Sequence, residues 1–317
     1  MTIVFNTLAP IILIILLGWR LSKAKVLSET FFEELQSFIF WWAMPALIIN
    51  ALVKSAGIPD ETLAALLAFS CSTLGMIGLC IVLNKVLKVL PEQRGVFIQG
   101  SFRGNLAFVA VPILQFALRD LPEDQQSHAL ALTIFIFAPI MVLYNVASVL
   151  ALVFGNTKEH SNKTQAVVDS ALSILKNPLI LSSGVGVILF FLPIKIPVAI
   201  TNSLSYFGQM AGPAALLCVG HGMAHSSLRG NAKLATLSAF LKVCICPLLT
   251  WLISTWMGLD ERSSFVLLIM STSPAAVAGY IMAKAMKGDA ALASTNIFLS
   301  TLLSAISFSI ILLSNSF

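Results

Sequence analysis

Charge is what this sequence has least of. Charged residues make up 10% of the chain, 19 Lys and Arg against 14 Asp and Glu, while apolar residues make up 58% and the mean hydropathy is +0.93. A water-soluble domain is about a quarter charged, and so little charge does not coat a surface facing water. The chain therefore reads as an all-α polytopic membrane protein solvated by lipid. The net charge of +5 is spread over short loops, so it makes no basic patch for nucleic acid.

Acidic residues are missing from the interior of every long apolar run. That removes the carboxylates on which cation/proton antiporters and intramembrane aspartyl proteases depend, and the His/Glu sets of metalloproteases. The five cysteines, Cys71, Cys80, Cys218, Cys244 and Cys246, lie in apolar runs without metal-ligand spacing and read as free buried thiols. His221 and His225, at i and i+4, lack a third ligand and read as an interfacial pair. No Ser–His or Ser–Lys pairing stands out, so no enzyme, cofactor or metal site is expected. The run from Ile3 to Leu17 lacks a basic start and a small-residue cleavage site, and reads as a retained helix.

What is abundant is apolar length. A spanning helix takes about 20 apolar residues, and ten such runs are present, near 2–20, 31–53, 61–84, 94–118, 127–154, 177–193, 197–224, 233–257, 262–284 and 289–314. A polar linker, 155–176, separates a first five-span half (1–154) from a second (177–317). With the N-terminus outside, thirteen loop Lys and Arg residues face the cytoplasm and four, Lys54, Arg119, Lys195 and Arg262, face outward. The positive-inside rule selects that orientation and puts both termini outside.

The halves share a register at an offset of 168 residues: Pro10 with Pro178, Gly18 with Gly186, Pro45-Ala46 with Pro213-Ala214, Arg94 with Arg262, Phe97 with Phe265, Ala107 with Ala275. Five spans is an odd number, so the second half enters the membrane inverted. Inverted repeats with interrupted helices near the midplane are a signature of secondary transporters.

Two stretches break the helical pattern at corresponding depths. The fourth span carries Arg103, Gly104, Asn105 and Pro112 within SFRGNLAFVAVP; the ninth carries Ser273, Pro274 and Gly279 within STSPAAVAGY. At 1.5 Å per residue Arg103 lies roughly 14 Å into a hydrocarbon core ~30 Å thick. Breaks at that depth survive only inside protein or beside a wet cavity, so spans four and nine are expected to cross. Arg103 and Lys242 are the two charges deep within spans. Each reads either as facing the cavity, where the missing counter-charge is a substrate anion, or as snorkelling or pairing with backbone carbonyls. Asn105 and Ser273 are the candidate polar contacts to that anion.

The stretch Gly104-Asn105-Leu-Ala-Phe-Val-Ala-Val-Pro112, with Pro274-Ala-Ala-Val-Ala-Gly279-Tyr-Ile-Met-Ala-Lys284, resembles the broken helices of the auxin efflux carrier family, which includes plant auxin exporters and bacterial carboxylate permeases. The resemblance implies ten helices in two inverted repeats, with helices 4 and 9 crossed. It also implies a dimerising scaffold of spans 1, 2, 6 and 7 and an elevator-like transport domain of spans 3–5 and 8–10. By position it puts Asn105 on the substrate carboxylate and Pro112 at the crossing. Gly279 stands where the plant pattern has a second crossover proline. The expected activity is secondary transport of a small organic anion across the plasma membrane. The alternatives are a Na⁺-coupled carrier of bile-acid-symporter type, and a non-transporting receptor or scaffold.

Overall fold

The computed structural model describes residues 2–55, 57–119, 121–155, 172, 176–192, 196–225 and 231–314. Among them the chain is helical, without a strand. The helices are α1 (Thr2–Lys23), α2 (Glu29–Lys54), α3 (Thr62–Val86), α4 (Pro91–Phe102), α5 (Leu106–Ala117), α6 (Glu123–Gly155), α7 (Pro178–Phe191), α8 (Val198–His225), α9 (Ala232–Trp256), α10 (Glu261–Thr272), α11 (Val277–Ala285) and α12 (Ala290–Ser314). Helix is present in each interval expected to be a span. By length and composition α2, α3, α6, α9 and α12 are long and apolar enough to cross a membrane, and α5 and α7 are shorter apolar helices. Most of the expected linker, with Lys158 and Lys163, lies outside the described residues, as do Lys195 and Arg229.

Helix starts follow from side chains that accept the orphan N–H groups of a first turn. Ser28 Oγ accepts from Phe31 N at 3.0 Å, Asn231 Oδ1 from Leu234 N at 3.2 Å, and Asp260 Oδ1 from Ser263 N at 2.6 Å. Asn177 caps α7 through Leu179 N, with Pro178 in the first turn where its missing N–H costs nothing.

Three helices contain a π-turn, Ile39–Ala43 in α2, Leu106–Ala110 in α5 and Leu241–Ile245 in α9, each ending two residues before a proline: Pro45, Pro112, Pro247. Proline lacks the N–H for the i−4 carbonyl and its ring crowds that carbonyl. One extra residue in the preceding turn widens the ladder and relieves both problems. Pro10, Pro139 and Pro213 sit inside helices that continue past them.

Beneath an apolar surface lies an apolar core with polar residues set into it. Large apolar side chains such as Leu13, Leu74, Val82, Ile188, Leu252 and Ile306 are exposed, while Ser72, Thr73, Thr250 and Ser254 are buried. The buried hydroxyls are satisfied locally: Thr250 Oγ1 lies 3.0 Å from Ser72 Oγ and 2.8 Å from Cys246 O. The arrangement fits a lipid solvent, and the protein is a multi-pass membrane protein.

The helices pack in two groups. In one, α1 lies on α8, and α2 on α7 and α8; in the other, α4 lies between α3 and α6, and α9 against α3, α10 and α12. Contact between the groups runs chiefly through α8 on α5 and through α6 on α2 and α7. The α1–α8 pair approaches backbone to backbone: a Cβ on Gly18 would overlap Leu217 O, and one on Gly220 would overlap Ile15 O.

Candidate functional site

The fourth and ninth intervals are each two half-helices with an extended break between them. After α4 the chain leaves the helix at Arg103 (φ −75°, ψ 97°) and resumes after Asn105; after α10 it is extended at Ser273 and again at Ala276. The breaks meet. Asn105 N donates to Pro274 O at 2.7 Å and Ala276 N donates to Arg103 O at 3.0 Å, an antiparallel bridge centred on Gly104 and Ala275. These bonds satisfy main-chain groups that the interrupted helices cannot. Two side chains add to them: Ser300 Oγ accepts from Ala275 N at 3.0 Å, and Gln99 Nε2 donates to Gly279 O at 2.9 Å. Sequence reasoning did not single out Gln99 or Ser300; their signal was polar residues in otherwise apolar spans.

Gly104 is required by contact. A Cβ there would overlap Ser273 Oγ and lie 3.3 and 3.4 Å from Lys242 Cε and Nζ. Pro274 lies within the bridge. Pro112 does not: it falls beyond the π-turn of α5, packed toward Gly212 of α8, so the expectation that it marks the crossing is corrected. The chain crosses where Gly104 and Asn105 free it from helix, while Pro112 is absorbed by the π-turn. Gly279 lies inside α11 and donates to Ala276 O at 2.9 Å, so the second break ends before it.

Beside the bridge is a cavity of ≈ 490 Å³. It is lined by Gly104, Asn105 and the first residues of α5 and α11, including Leu106, Val277 and Ala278, and by Glu33, Phe40, Trp41, Cys218 and His221 from α2 and α8. Both half-helices present their N-termini to this space, where first-turn N–H groups lack intrahelical acceptors and the helix dipole is positive. Asn105 caps α5, its Oδ1 accepting from Phe108 N at 3.3 Å, which leaves its amide NH₂ available. A smaller cavity of ≈ 270 Å³, on the side of α12, also reaches Asn105, together with Pro274 and Thr301.

The other expected residues lie behind the bridge. Ser273 is fully buried, its hydroxyl donating to Met270 O at 2.7 Å. Arg103 borders the large cavity but turns its guanidinium to α6, reaching Asn145 Oδ1 at 2.7 Å, Ser148 Oγ at 3.1 Å and Tyr144 O at 3.5 Å, and Met282 Sδ at 3.1 Å on α11. Lys242 is fully buried, does not line that cavity, and donates to Ser271 O. Neither base has a carboxylate among these partners. The histidine pair lies at the end of α8: His221 Nδ1 is 2.9 Å from Ser22 Oγ and stacks on Phe32, while His225 Nε2 is 3.2 Å from Glu29 Oε1.

Helices that stop inside a membrane protein, meet, and turn their N-termini into one polar-ended cavity define a class: a membrane transporter. A family model described as membrane transport protein matches residues 3–312, and the chain belongs to that family, the auxin efflux carriers. An uncharacterized transporter of Methanocaldococcus jannaschii, MJ1031, is 22% identical over 298 residues, covering 92% of each chain.

Proposed function

We propose that the protein is a secondary carrier of a small organic anion, a carboxylate of the malonate, malate or auxin-like type, moving it across the plasma membrane by elevator-type alternating access. The observation that carries this reading is one shared space: two half-helix N-termini and the Asn105 amide border a cavity of ≈ 490 Å³, with the buried Arg103 also in its lining and no acid among the partners of its guanidinium. Every one of these features favours negative charge.

In this reading the ten helical intervals are spans in two inverted repeats, with both termini outside. The group of α1, α2, α7 and α8 is the scaffold and the dimer surface, and the remaining helices form the moving domain. Asn105 NH₂ and the first-turn amides of α5 and α11 contact the carboxylate. Ser273 supports the bridge under Gly104, and Arg103 supplies potential from the α6 side. Phe40, Trp41 and Phe108 give the apolar wall against which the organic part of the anion rests.

Counterflow in proteoliposomes against a panel of mono- and dicarboxylates tests the proposal. Trans-stimulated uptake of at least one carboxylate, absent from protein-free vesicles, is expected. If no carboxylate in the panel is exchanged, the anion-carrier reading fails.

A further inference from the structure

The two bases at the crossing do different work, and Lys242 is the less obvious one. Its side chain is among the largest in the protein to be fully buried, it sits in the π-turn of α9, and its ammonium donates to Ser271 O in the last turn of α10. The same Nζ would lie 3.4 Å from a Cβ on Gly104, two residues past the end of α4. Lys242 thus stands where the C-terminal ends of both half-helices converge. The last four carbonyls of a helix lack intrahelical donors, and each C-terminus behaves as roughly half a negative charge. Two such ends sum to about one elementary charge, which a single ammonium balances. The amide N–H groups that approach are already engaged, Arg103 N with Gln99 O and Ser273 N with Met270 O.

We infer that Lys242 is a built-in cation: its ammonium, on Ser271 O and beside Gly104, takes the place that a monovalent cation would otherwise fill at the crossing, so that the carrier needs no metal ion there. Its charge is taken up by the helix ends, and Arg103 and the half-helix N-termini are left to attract the anion. Lys242 is therefore a positioning residue that holds the two C-terminal ends together. The inference rests on the proposed carrier reading only in taking the crossing as the working centre.

This role of Lys242 is testable without substrate. Purified protein is melted in NaCl, LiCl, KCl and N-methylglucamine chloride at equal ionic strength, as wild type, Lys242→Ser and Lys242→Met. Lys242→Ser removes the ammonium and opens its space; Lys242→Met fills the stem and leaves no room. The melting temperature of wild type and of Lys242→Met is expected to be the same in all four salts. Lys242→Ser is expected to melt lower in N-methylglucamine and to be restored by one of the small cations, because a ligand that binds the native state stabilises it. Transport by Lys242→Ser should then become cation-dependent, by about tenfold or more.

A metal-ion shift in the wild type equal to that in Lys242→Ser overturns the inference. So does a Lys242→Ser protein that is indifferent to every cation or fails to fold in all of them. Failure of carboxylate exchange in wild type would overturn the carrier reading and leave the melting result standing.

Discussion

Asn105 gives its main-chain N–H to Pro274 O at 2.7 Å while its side chain accepts from Phe108 N at 3.3 Å, so one residue both ties the two breaks together and starts the second half-helix. With Ala276 N on Arg103 O at 3.0 Å, the breaks form a single stitched unit. Any displacement of one break carries the other with it. What remains of Asn105 for a ligand is its NH₂, and that separates its structural role from its binding role.

Asn105→Asp keeps an oxygen for the cap and replaces the donor with a negative charge. Its melting temperature should stay near wild type, while carboxylate uptake falls by more than about tenfold, the loss expected when a 1.5–3 kcal/mol hydrogen bond to a charged ligand disappears. Asn105→Ala should lose both, with about 1 kcal/mol of the stability loss coming from the cap. Thermal melts beside uptake kinetics at matched expression make the comparison. Wild-type affinity in Asn105→Asp would remove this residue from the site.

Gly104→Ala should be severely destabilising, because the added methyl overlaps Ser273 Oγ. Ser273→Ala alone should be mild, since Met270 O keeps the main-chain donor of Ser273 at 3.3 Å. The double variant should then recover a large part of the loss, a coupling above about 1 kcal/mol in a double-mutant cycle. Strict additivity would mean that the two residues are not in contact.

Arg103 holds four acceptors on α6 and α11, and lysine cannot reproduce that fork. Arg103→Lys is expected to transport at an intermediate rate and Arg103→Gln at least about tenfold more slowly than wild type, through lost potential at the cavity. Asn145→Ala, which removes the 2.7 Å partner but no charge, should lower stability by about 1.5–3 kcal/mol. It should also change KM less than Arg103→Gln does. Equal uptake by all three variants would show that the guanidinium has no part in transport.

In a background without the five native cysteines, a single cysteine replacing Lys195 should react with an impermeant thiol reagent from outside, and one replacing Lys163 only from inside. The thirteen-to-four distribution of basic residues sets this expectation. The opposite pattern would invert the orientation of both broken helices.

The positions of the breaks were legible because Gly104-Asn105 and Pro274 set helix-weakening residues beside polar ones at matching depth in two spans, and the helical intervals were legible from apolar length alone. The directions of Arg103 and Lys242 were not. Once a segment leaves the helix, periodicity no longer says which way a side chain points. Arg103 turns to two side-chain oxygens and one carbonyl of α6 while still bordering the cavity. Lys242 sits in a π-turn, and that turn has a sequence signal, Pro247 two residues beyond it, which says that the ladder adjusts but not which way Lys242 then points. Pro112, put at the crossing by the family resemblance, lies beyond a π-turn instead: a proline in a helix announces that the ladder must adjust, but not that it must break.

Each π-turn is one residue more than a regular ladder needs, and the surplus advances the rest of the helix by about 100°. In α9 the segment before the turn sets Ser238 Oγ 3.0 Å from Ser101 Oγ on α4, while the segment after it sets Thr250 Oγ1 3.0 Å from Ser72 Oγ on α3. One rod thereby addresses two neighbours with two separately phased polar rows. Deleting a single residue between Leu241 and Ile245 would straighten α9 and swing Thr250 and Ser254 away from α3, leaving buried hydroxyls facing the wrong partner or the lipid. The lengths of these helices cannot drift one residue at a time.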